Sequence, residues 1–169
     1  MDLYLLKDYI GLYAPILLFF ATLLLLRNMH LYLQFFFGGF IFNNIINILL
    51  KLLFKEPRPG KDQKAIEIGV VNGARISFDK FGMPSGHAQN CAFCTAFITF
   101  ALNSPLITCI YSIITLISVC QRYTYNNHTI FQLLVGLVIG TAVGLSVYFY
   151  GETKIKGKIE EKPDDNGPI

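Results

Sequence analysis

Residues 81–121 read FGMPSGHAQNCAFCTAFITFALNSPLITCIYSIITLISVCQ, and no Asp, Glu, Lys or Arg interrupts them. A membrane span needs about 20 largely apolar residues, so this stretch has the length of two spans. The turn-forming segment Asn103-Ser104-Pro105 lies near its middle and divides it. The stretch therefore predicts two membrane helices, at 85–102 and 105–121.

The rest of the chain has the same character. Hydrophobic residues make up 53% of it and charged residues only 15%, whereas a soluble domain has about 25% charged residues. Further stretches without charge, at 9–26, 28–50 and 123–151, each fit one span. A cleaved signal peptide is an alternative for the first stretch, but no small-residue cleavage site follows before Arg27. We therefore expect an all-α, integral membrane bundle of about five transmembrane helices, at 10–26, 31–54, 85–102, 105–121 and 128–150.

The domain organisation is simple. We expect one membrane-embedded domain over residues 1–151 and a polar, disordered tail over residues 152–169, which is rich in Lys, Glu, Asp and Gly. All four cysteines fall inside predicted spans, so they should pack as apolar side chains and not form disulfides. Lysines flank the spans as interfacial anchors, and the net charge of +3 does not predict a nucleic-acid partner.

Three short motifs carry the candidate chemistry: Lys51-x6-Arg58-Pro59, Pro84-Ser85-Gly86-His87 and Arg122-x5-His128. Predicted helices 2 and 4 end at the first and third motifs, and helices 3 and 5 begin at the second and third. The motifs should therefore meet at one face of the bilayer, on the side of the N-terminus. Their cations, hydroxyl and imidazoles predict a pocket for a phosphoryl group, and the membrane setting suggests that a lipid carries it.

The cationic side chains are candidates for holding the phosphate. Lys51 supplies a point charge, whereas the planar guanidinium of Arg58, stiffened by Pro57 and Pro59, suits bidentate phosphate binding. Arg122 adds a second guanidinium. Lys51 and Arg58 could instead be membrane-interface anchors.

The second motif is expected to open helix 3. Ser85 is a natural N-cap, and a helix N-terminus readily binds an anion. Gly86 allows a ligand to approach the backbone. His87, in the first turn, could donate a proton to a leaving oxygen, although an ordinary helix cap would also explain the pattern.

The third motif offers a nucleophile. His128 could attack phosphorus and carry it as a phosphohistidine, although a histidine at a helix start is more often structural. Gln132 lies at i+4, where its amide oxygen could accept the imidazole N–H, fix the tautomer and leave the other nitrogen to attack.

Two helix ridges predict how these residues are held. The spacing of four residues continues beyond Gln132 as three glycines, Gly136, Gly140 and Gly144. Small residues at this spacing let membrane helices approach closely. On helix 2, Asn43 and Asn47 share a ridge with Lys51. Because amides at membrane depth normally face the bundle interior, this ridge should turn Lys51 inward.

The three motifs resemble the signatures of the type 2 phosphatidic acid phosphatase (PAP2) superfamily, over a region from Lys51 to Gly144. Its members are metal-independent lipid phosphatases and lipid pyrophosphatases, with vanadium haloperoxidases among their soluble relatives. The resemblance implies a PAP2/haloperoxidase-like core and no metal or other cofactor. It makes His128 the nucleophile and His87 the general acid. It also implies a phosphate clamp of five residues, Lys51, Arg58, Ser85, Gly86 and Arg122.

One branch of the superfamily is more similar still. Lys-Glu-Pro-Arg-Pro (55–59), Gly82-Met83-Pro84-Ser85-x-His87-x-Gln89 and Arg122-x-Tyr-x-x-x-His128-Thr129-x-x-Gln132 resemble the dolichyl-diphosphate phosphatases. The superfamily usually has Ser at the position of Gln121 and Asp at the position of Gln132. In this branch, however, Gln is the rule at the position of Gln132. Gly86 stands where the branch commonly has Ser.

This resemblance implies a substrate and a location. The expected reaction is hydrolysis of a polyprenyl diphosphate to the monophosphate and orthophosphate. A broad phosphatase acting on phosphatidate-like lipids and a catalytically silent scaffold that binds lipid phosphates are the alternatives. The resemblance also implies a multi-pass protein of an endoplasmic-reticulum-type or plasma membrane, with its active site on the non-cytoplasmic face. The loop 60–83 is a candidate lid.

Overall fold

The computed structural model describes residues 3–60, 70–71, 74–75 and 80–160. Within them, five helices follow one another: α1 (Leu3–Leu25), α2 (His30–Phe54), α3 (Gly86–Leu102), α4 (Pro105–Thr124) and α5 (Ile130–Glu160). The predicted bundle of five helices is confirmed. The long α2–α3 connection also holds two short antiparallel strands, β1 (Val70–Val71) and β2 (Ala74–Arg75). Most of the candidate lid lies outside the described residues.

The largest differences from the predicted helix boundaries are at the start of α1 and the end of α5. Helix α1 begins at Leu3 and not at residue 10, and α5 continues to Glu160 and does not end at residue 150. A charge-free stretch marks the apolar span, but a helix can continue beyond the membrane surface. Residues 152–160 contain no proline and a single glycine, so nothing in them stops α5. This part of the predicted disordered tail is helical, and residues 161–169 lie outside the described part of the chain.

Helix α3 lies at the centre of the bundle. Within the described residues, four helices (α1, α2, α4 and α5) are long and apolar enough to cross a membrane, whereas α3 has only 17 residues. Phe93 and Phe97 of α3 are fully buried, while Leu24, Leu53 and Leu106 on the outer helices are 68–72% exposed. Apolar side chains exposed in this number mark a lipid-facing surface. The four cysteines are free. Cys91 and Cys94 on α3 are buried, as expected for packing residues, whereas Cys109 and Cys120 on α4 are exposed on its outer surface.

The glycine ridge of α5 lies directly against α3. A Cβ atom added to Gly136, Gly140 or Gly144 would lie 2.7, 2.1 or 2.8 Å from a backbone carbonyl oxygen of α3 or of the residue that caps it. A side chain at any of these positions would push the two helices apart, so the predicted packing role is confirmed. The close approach fixes the start of α5 against the start of α3, where two of the motifs lie.

Amide side chains join α2 to α3 inside the bundle. Asn43, Asn47 and Lys51 are at most 6% exposed, so this ridge faces inward as predicted. Gln89 Nε2 donates to Asn43 Oδ1 at 2.9 Å, and Asn47 Nδ2 donates to Gln89 Oε1 at 2.8 Å. Asn47 also donates to the Pro84 carbonyl at 3.3 Å. These bonds set the height of α2 relative to α3, and so bring Lys51 to the level of the second motif.

Helix α1 is fastened to α4 near the motifs. The Tyr125 hydroxyl donates to the Asp8 carboxylate, and the Ser118 hydroxyl donates to the Gly11 carbonyl at 2.8 Å. The Gly11 carbonyl can take this bond because Pro15, four residues later, has no N–H to offer it. Since Tyr125 directly follows α4, the N-terminal half of α1 lies at the same end of the bundle as the motifs, as the predicted topology requires.

Candidate active site

The three motifs meet at one end of the bundle. Arg58 Nη1 lies 2.9 Å from His128 Nε2, which joins the first motif to the third. The backbone N–H of Ser85 donates to the Gln132 carbonyl at 3.1 Å, which joins the second to the start of α5. The structure thus brings to one end all eight residues proposed from the sequence: Lys51, Arg58, Ser85, Gly86, His87, Arg122, His128 and Gln132.

His128 is held in a single tautomer. Its side chain is 2% exposed, and Nδ1 lies 2.8 Å from the Gly82 carbonyl oxygen. A guanidinium can only donate, so Nε2 accepts from Arg58 and the ring proton is on Nδ1, where it donates to Gly82. The lone pair of Nε2 therefore points toward the guanidinium of the first motif.

Gln132 is a second, longer partner of the same ring. Its Oε1 lies 3.3 Å from Nδ1 of His128 and 3.2 Å from the backbone N of Thr129, which donates to it. Its Nε2 donates to Glu56 Oε1 at 2.8 Å and to the Pro57 carbonyl at 2.9 Å. The expected contact with the histidine exists, but the shorter acceptor for Nδ1 is the Gly82 carbonyl. Gln132 also ties the start of α5 to the loop that carries Arg58.

The surroundings of His128 favour its neutral form. Burial lowers the pKa of His128 well below 6.5, and the positive charges of Arg58, Arg122 and Lys51, with His87, lower it further. An imidazole with a lowered pKa keeps its lone pair at neutral pH. The chemistry open to such a ring is nucleophilic attack or proton acceptance at Nε2.

The three cations differ in how they are held. Lys51 Nζ donates to the Phe81 carbonyl at 3.2 Å, and Lys51 is 3% exposed, so it is not a snorkelling anchor. Arg58 Nη1 also lies within 3.3 Å of the Asn127 carbonyl, to which it donates. Arg122, in the last turn of α4, is 1% exposed. Three cations at one enclosed site favour a multiply charged anion as ligand.

The second motif forms the start of α3. Ser85 is its N-cap and is fully buried, and its hydroxyl accepts from the Ala88 N–H at 3.5 Å. Gly86 is the first helical residue, and a Cβ atom there would meet only ordinary contact with Asn47 at 3.4 Å. Space alone therefore does not require glycine at this position. The N-terminus of α3 adds backbone N–H donors at this end of the bundle.

His87 is oriented by helix α1. Its Nε2 lies 3.0 Å from the backbone carbonyl oxygen of Leu12. Because a carbonyl oxygen only accepts, the proton of this bond is on Nε2. Nδ1 is then the atom at which His87 would take up and release a proton.

Some residues contact the predicted site without a role assigned from the sequence. They are Gly82 and Glu56, which contact His128 and Gln132 respectively, and Leu12, which contacts His87. Gly82 and Glu56 lie inside the segments that resemble the dolichyl-diphosphate phosphatases, which is a signal of importance but not of role. Leu12 contributes only its carbonyl, and no residue pattern reveals a backbone contact of this kind.

Positive charge at the site comes from side chains. Among the residues that the structure describes, no group of three or more His, Cys, Asp and Glu side chains could hold a metal ion. The metal-free chemistry expected from the motifs stays a prediction.

Comparison with known proteins identifies similar sequences. The family model of the PAP2 superfamily matches residues 31–156. The chain is 30% identical over 143 residues to the palmitoyl-protein thioesterase-dolichyl pyrophosphate phosphatase fusion 1 of Schizosaccharomyces pombe, covering 78% of this chain and 21% of that protein. It is 28% identical over 122 residues to the dolichyldiphosphatase of Saccharomyces cerevisiae, covering 66% of this chain and 48% of that protein. The chain thus spans about a fifth and about half of the lengths of these relatives.

A solved structure shares the fold. The transmembrane PAP2 type phosphatidylglycerolphosphate phosphatase from Bacillus subtilis superposes with a TM-score of 0.57 at 16% identity. The match covers 96% of this chain and 81% of that structure. The predicted fold, a membrane helical bundle with a PAP2-like core, is confirmed.

Proposed function

The chain belongs to the PAP2 superfamily, and from this we propose that it is a membrane phosphatase that hydrolyses a polyprenyl, dolichyl-type diphosphate to the monophosphate and orthophosphate. One observation carries the proposal. His128 is a buried imidazole whose Nδ1–H is fixed by the Gly82 carbonyl and whose Nε2 lone pair faces Arg58. This is the arrangement that a nucleophile for a bound phosphoryl group needs.

The first step of the proposed reaction forms a phosphohistidine. Nε2 of His128 attacks the terminal phosphorus, and the bond from this phosphorus to the bridging oxygen breaks. A proton from His87 passes to the bridging oxygen as the polyprenyl monophosphate leaves. Phosphoryl oxygens compete with Nε2 for the N–H groups of Arg58, so substrate binding itself would release the lone pair for attack.

The second step regenerates the enzyme. Water attacks the phosphorus of the phosphohistidine, His87 accepts the proton of that water, and the phosphorus–nitrogen bond breaks. Orthophosphate leaves and His128 returns to its neutral form. In both steps Lys51, Arg58 and Arg122, with the N-terminus of α3 at Ser85 and Gly86, would stabilise charge on the transferring group. We therefore expect activity without a metal or any other cofactor.

The relatives support the choice of a diphosphate. The names of both relatives refer to a dolichyl diphosphate phosphatase. Glu56, Gly82 and Gln132 lie in the segments that resemble the dolichyl-diphosphate phosphatase branch. The lipid chain of such a substrate would remain in the bilayer while its phosphates reach the end of the bundle. The protein is an integral membrane protein with several apolar helices. We place its site on the non-cytoplasmic face of an endoplasmic-reticulum-type or plasma membrane.

The decisive experiment is phosphate release by detergent-purified protein in excess EDTA. A polyprenyl diphosphate and phosphatidate are compared as substrates, with His128→Ala as the control variant. We expect preference for the diphosphate, retained turnover in EDTA and no turnover by the variant. A diphosphate labelled on its terminal phosphate should also give acid-labile labelled protein.

Other outcomes would overturn parts of the proposal. Preference for phosphatidate would make the protein a general lipid phosphate phosphatase. Loss of all turnover in EDTA would contradict the metal-free mechanism. Folded protein that binds but hydrolyses neither lipid would be a silent lipid-phosphate-binding scaffold.

A further inference from the structure

Both acceptors of the His128 Nδ1 proton belong to residues that are hydrogen-bonded to Glu56. Its carboxylate accepts from Gln132 Nε2 at 2.8 Å, and Gln132 Oε1 lies 3.3 Å from Nδ1. Its backbone carbonyl accepts from the Gly82 N–H at 2.7 Å, and the Gly82 carbonyl lies 2.8 Å from the same Nδ1. Two separate hydrogen-bonded routes therefore lead from Glu56 to the imidazole.

The contacts of Gln132 fix which way its amide points. Its Nε2 faces Glu56 Oε1 and the Pro57 carbonyl, and neither of these oxygens can donate. The oxygen end of the amide is therefore directed at His128 and at the Thr129 N–H. The Glu56 carboxylate and the Pro57 carbonyl together orient the amide, and the amide oxygen in turn contacts the ring.

We propose that Glu56 is a positioning residue for His128, and that its carboxylate supplies through Gln132 the negative charge that a neighbouring Asp supplies in the usual motif of the superfamily. The inference rests on the proposed function, since it takes His128 as the nucleophile. When Nε2 bonds to phosphorus, the ring keeps its proton on Nδ1 and becomes a cation. A carboxylate at the end of a polarised hydrogen-bond chain stabilises this cation. A neutral amide without the carboxylate would stabilise it less.

The two side chains lend themselves to an isosteric exchange. Glu56→Gln removes the charge without a change of shape, and Gln132→Glu places two carboxylates at the present 2.8 Å contact. The double variant Glu56→Gln/Gln132→Glu restores one carboxylate and one amide with their roles exchanged, but it has no N–H at position 132 to donate to the Pro57 carbonyl. The carboxylate then contacts His128 directly, and the new amide can donate to it.

The experiment measures kcat and KM of the native protein and the three variants on the polyprenyl diphosphate, with thermal unfolding as a check on folding. We expect each single variant to lower kcat by about 10- to 100-fold, by analogy with the loss of a partner that orients a metal-binding histidine, with KM little changed. The double variant should recover kcat above that of both single variants, although the lost bond to the Pro57 carbonyl keeps it below native. Glu152→Gln, at the far end of α5, is the matched control and should behave as native.

The possible results distinguish failure of the proposed relay from failure of the proposed function. Losses in the double variant equal to the product of the two single losses would overturn the relay, because independent structural roles do not rescue each other. A folded Glu56→Gln variant with native kcat would overturn it without need of the other variants. Native protein that turns over neither a polyprenyl diphosphate nor phosphatidate would instead refute the proposed function.

Discussion

The Nδ1 atom of His128 lies 2.8 Å from the backbone carbonyl oxygen of Gly82, 46 positions earlier in the chain. This carbonyl, and not the i+4 side chain of Gln132, is the shorter acceptor of the ring proton. Exchanging Asp for an amide in a hydrolase triad costs about 10⁴ in kcat when it stabilises the wrong tautomer. Here the backbone carbonyl sets the tautomer, so glutamine at position 132 is compatible with a fully oriented histidine.

Substitution of Gly82 tests this arrangement. A Cβ atom at position 82 would lie 2.5 Å from Gln132 Oε1 and 2.7 Å from its Nε2. Gly82→Ala should therefore displace both the Gln132 amide and the carbonyl that holds His128. We expect kcat on the polyprenyl diphosphate to fall by about 10- to 100-fold, with thermal unfolding changed little. Gly38→Ala, where a Cβ atom would meet nothing within 4 Å, should leave kcat unchanged, and native kcat in Gly82→Ala would contradict the role of this carbonyl.

The acidic limb of the pH–rate profile should lie below pH 6.5. The pKa of His128 is lowered by burial and then by the charge of Arg58, and attack requires the neutral ring. Activity is therefore lost only when pH falls through this lowered pKa. Removing the positive charge in Arg58→Ala should raise the pKa of His128 and move the acidic limb of kcat/KM to higher pH.

The pH at which the acidic limb falls can be measured independently of the loss of rate that any substitution of Arg58 would cause. Arg58→Lys keeps the charge, so its limb should stay near that of the native protein even if its rate is lower. Titration of labelled histidine by NMR in detergent would report the pKa of His128 directly. A limb that moves to lower pH in Arg58→Ala would contradict the electrostatic explanation.

The sequence predicts the parts of the site that follow helix periodicity. The charge-free stretches correctly predict the five helices, and the spacing of Asn43, Asn47 and Lys51 correctly turns this ridge inward. The order of helix ends correctly places the motifs at one end of the bundle. These predictions succeed for two reasons. Burial repeats with the helical period, and successive membrane helices run in opposite directions, so the order of the helix ends fixes which of them share a face.

The parts that the sequence does not predict depend on the backbone or on contacts across loops. Gly82 and Leu12 act through carbonyl oxygens, which every residue type carries equally. Glu56 meets Gln132 across 76 positions, a separation that no helical period covers. The helical residues 152–160 differ from the prediction because a polar composition does not itself exclude a helix.

The glycine ridge predicts a stability effect separate from catalysis. A Cβ atom at Gly140 would lie 2.1 Å from the Gln89 carbonyl oxygen, and the backbone of α3 cannot yield as a flexible side chain could. Gly140→Ala should lower the free energy of unfolding by about 1–3 kcal/mol or more, and thus the melting temperature in detergent. Gly38→Ala again serves as the control, and equal melting temperatures for the two variants would refute the packing role.

Helix α1 should matter for substrates whose leaving group needs a proton. His87 Nε2 donates to the Leu12 carbonyl at 3.0 Å, and Leu12 follows the residue at which α1 contacts α4. A Cβ atom at Gly11 would lie 2.6 Å from Gln121 Cβ, so Gly11→Ala should move α1 away from α4 and carry the Leu12 carbonyl away from His87. General acid catalysis contributes about 10²- to 10⁴-fold, and a misplaced His87 should forfeit part of it.

The measurement is kcat/KM on two water-soluble substrates that differ in leaving group. We expect Gly11→Ala to lower the rate on a short-chain alkyl phosphate by about tenfold or more. An aryl phosphate with a nitrophenol leaving group departs without a proton, so its rate should change by less than about threefold. His87→Ala should show the same selectivity more strongly. Thr22→Val breaks the 3.1 Å contact with Tyr111 elsewhere in the same interface and should leave the ratio of rates unchanged. Equal losses on both substrates in Gly11→Ala would mean that α1 supports the fold and not the proton donor, because a general disturbance of the site does not distinguish between leaving groups.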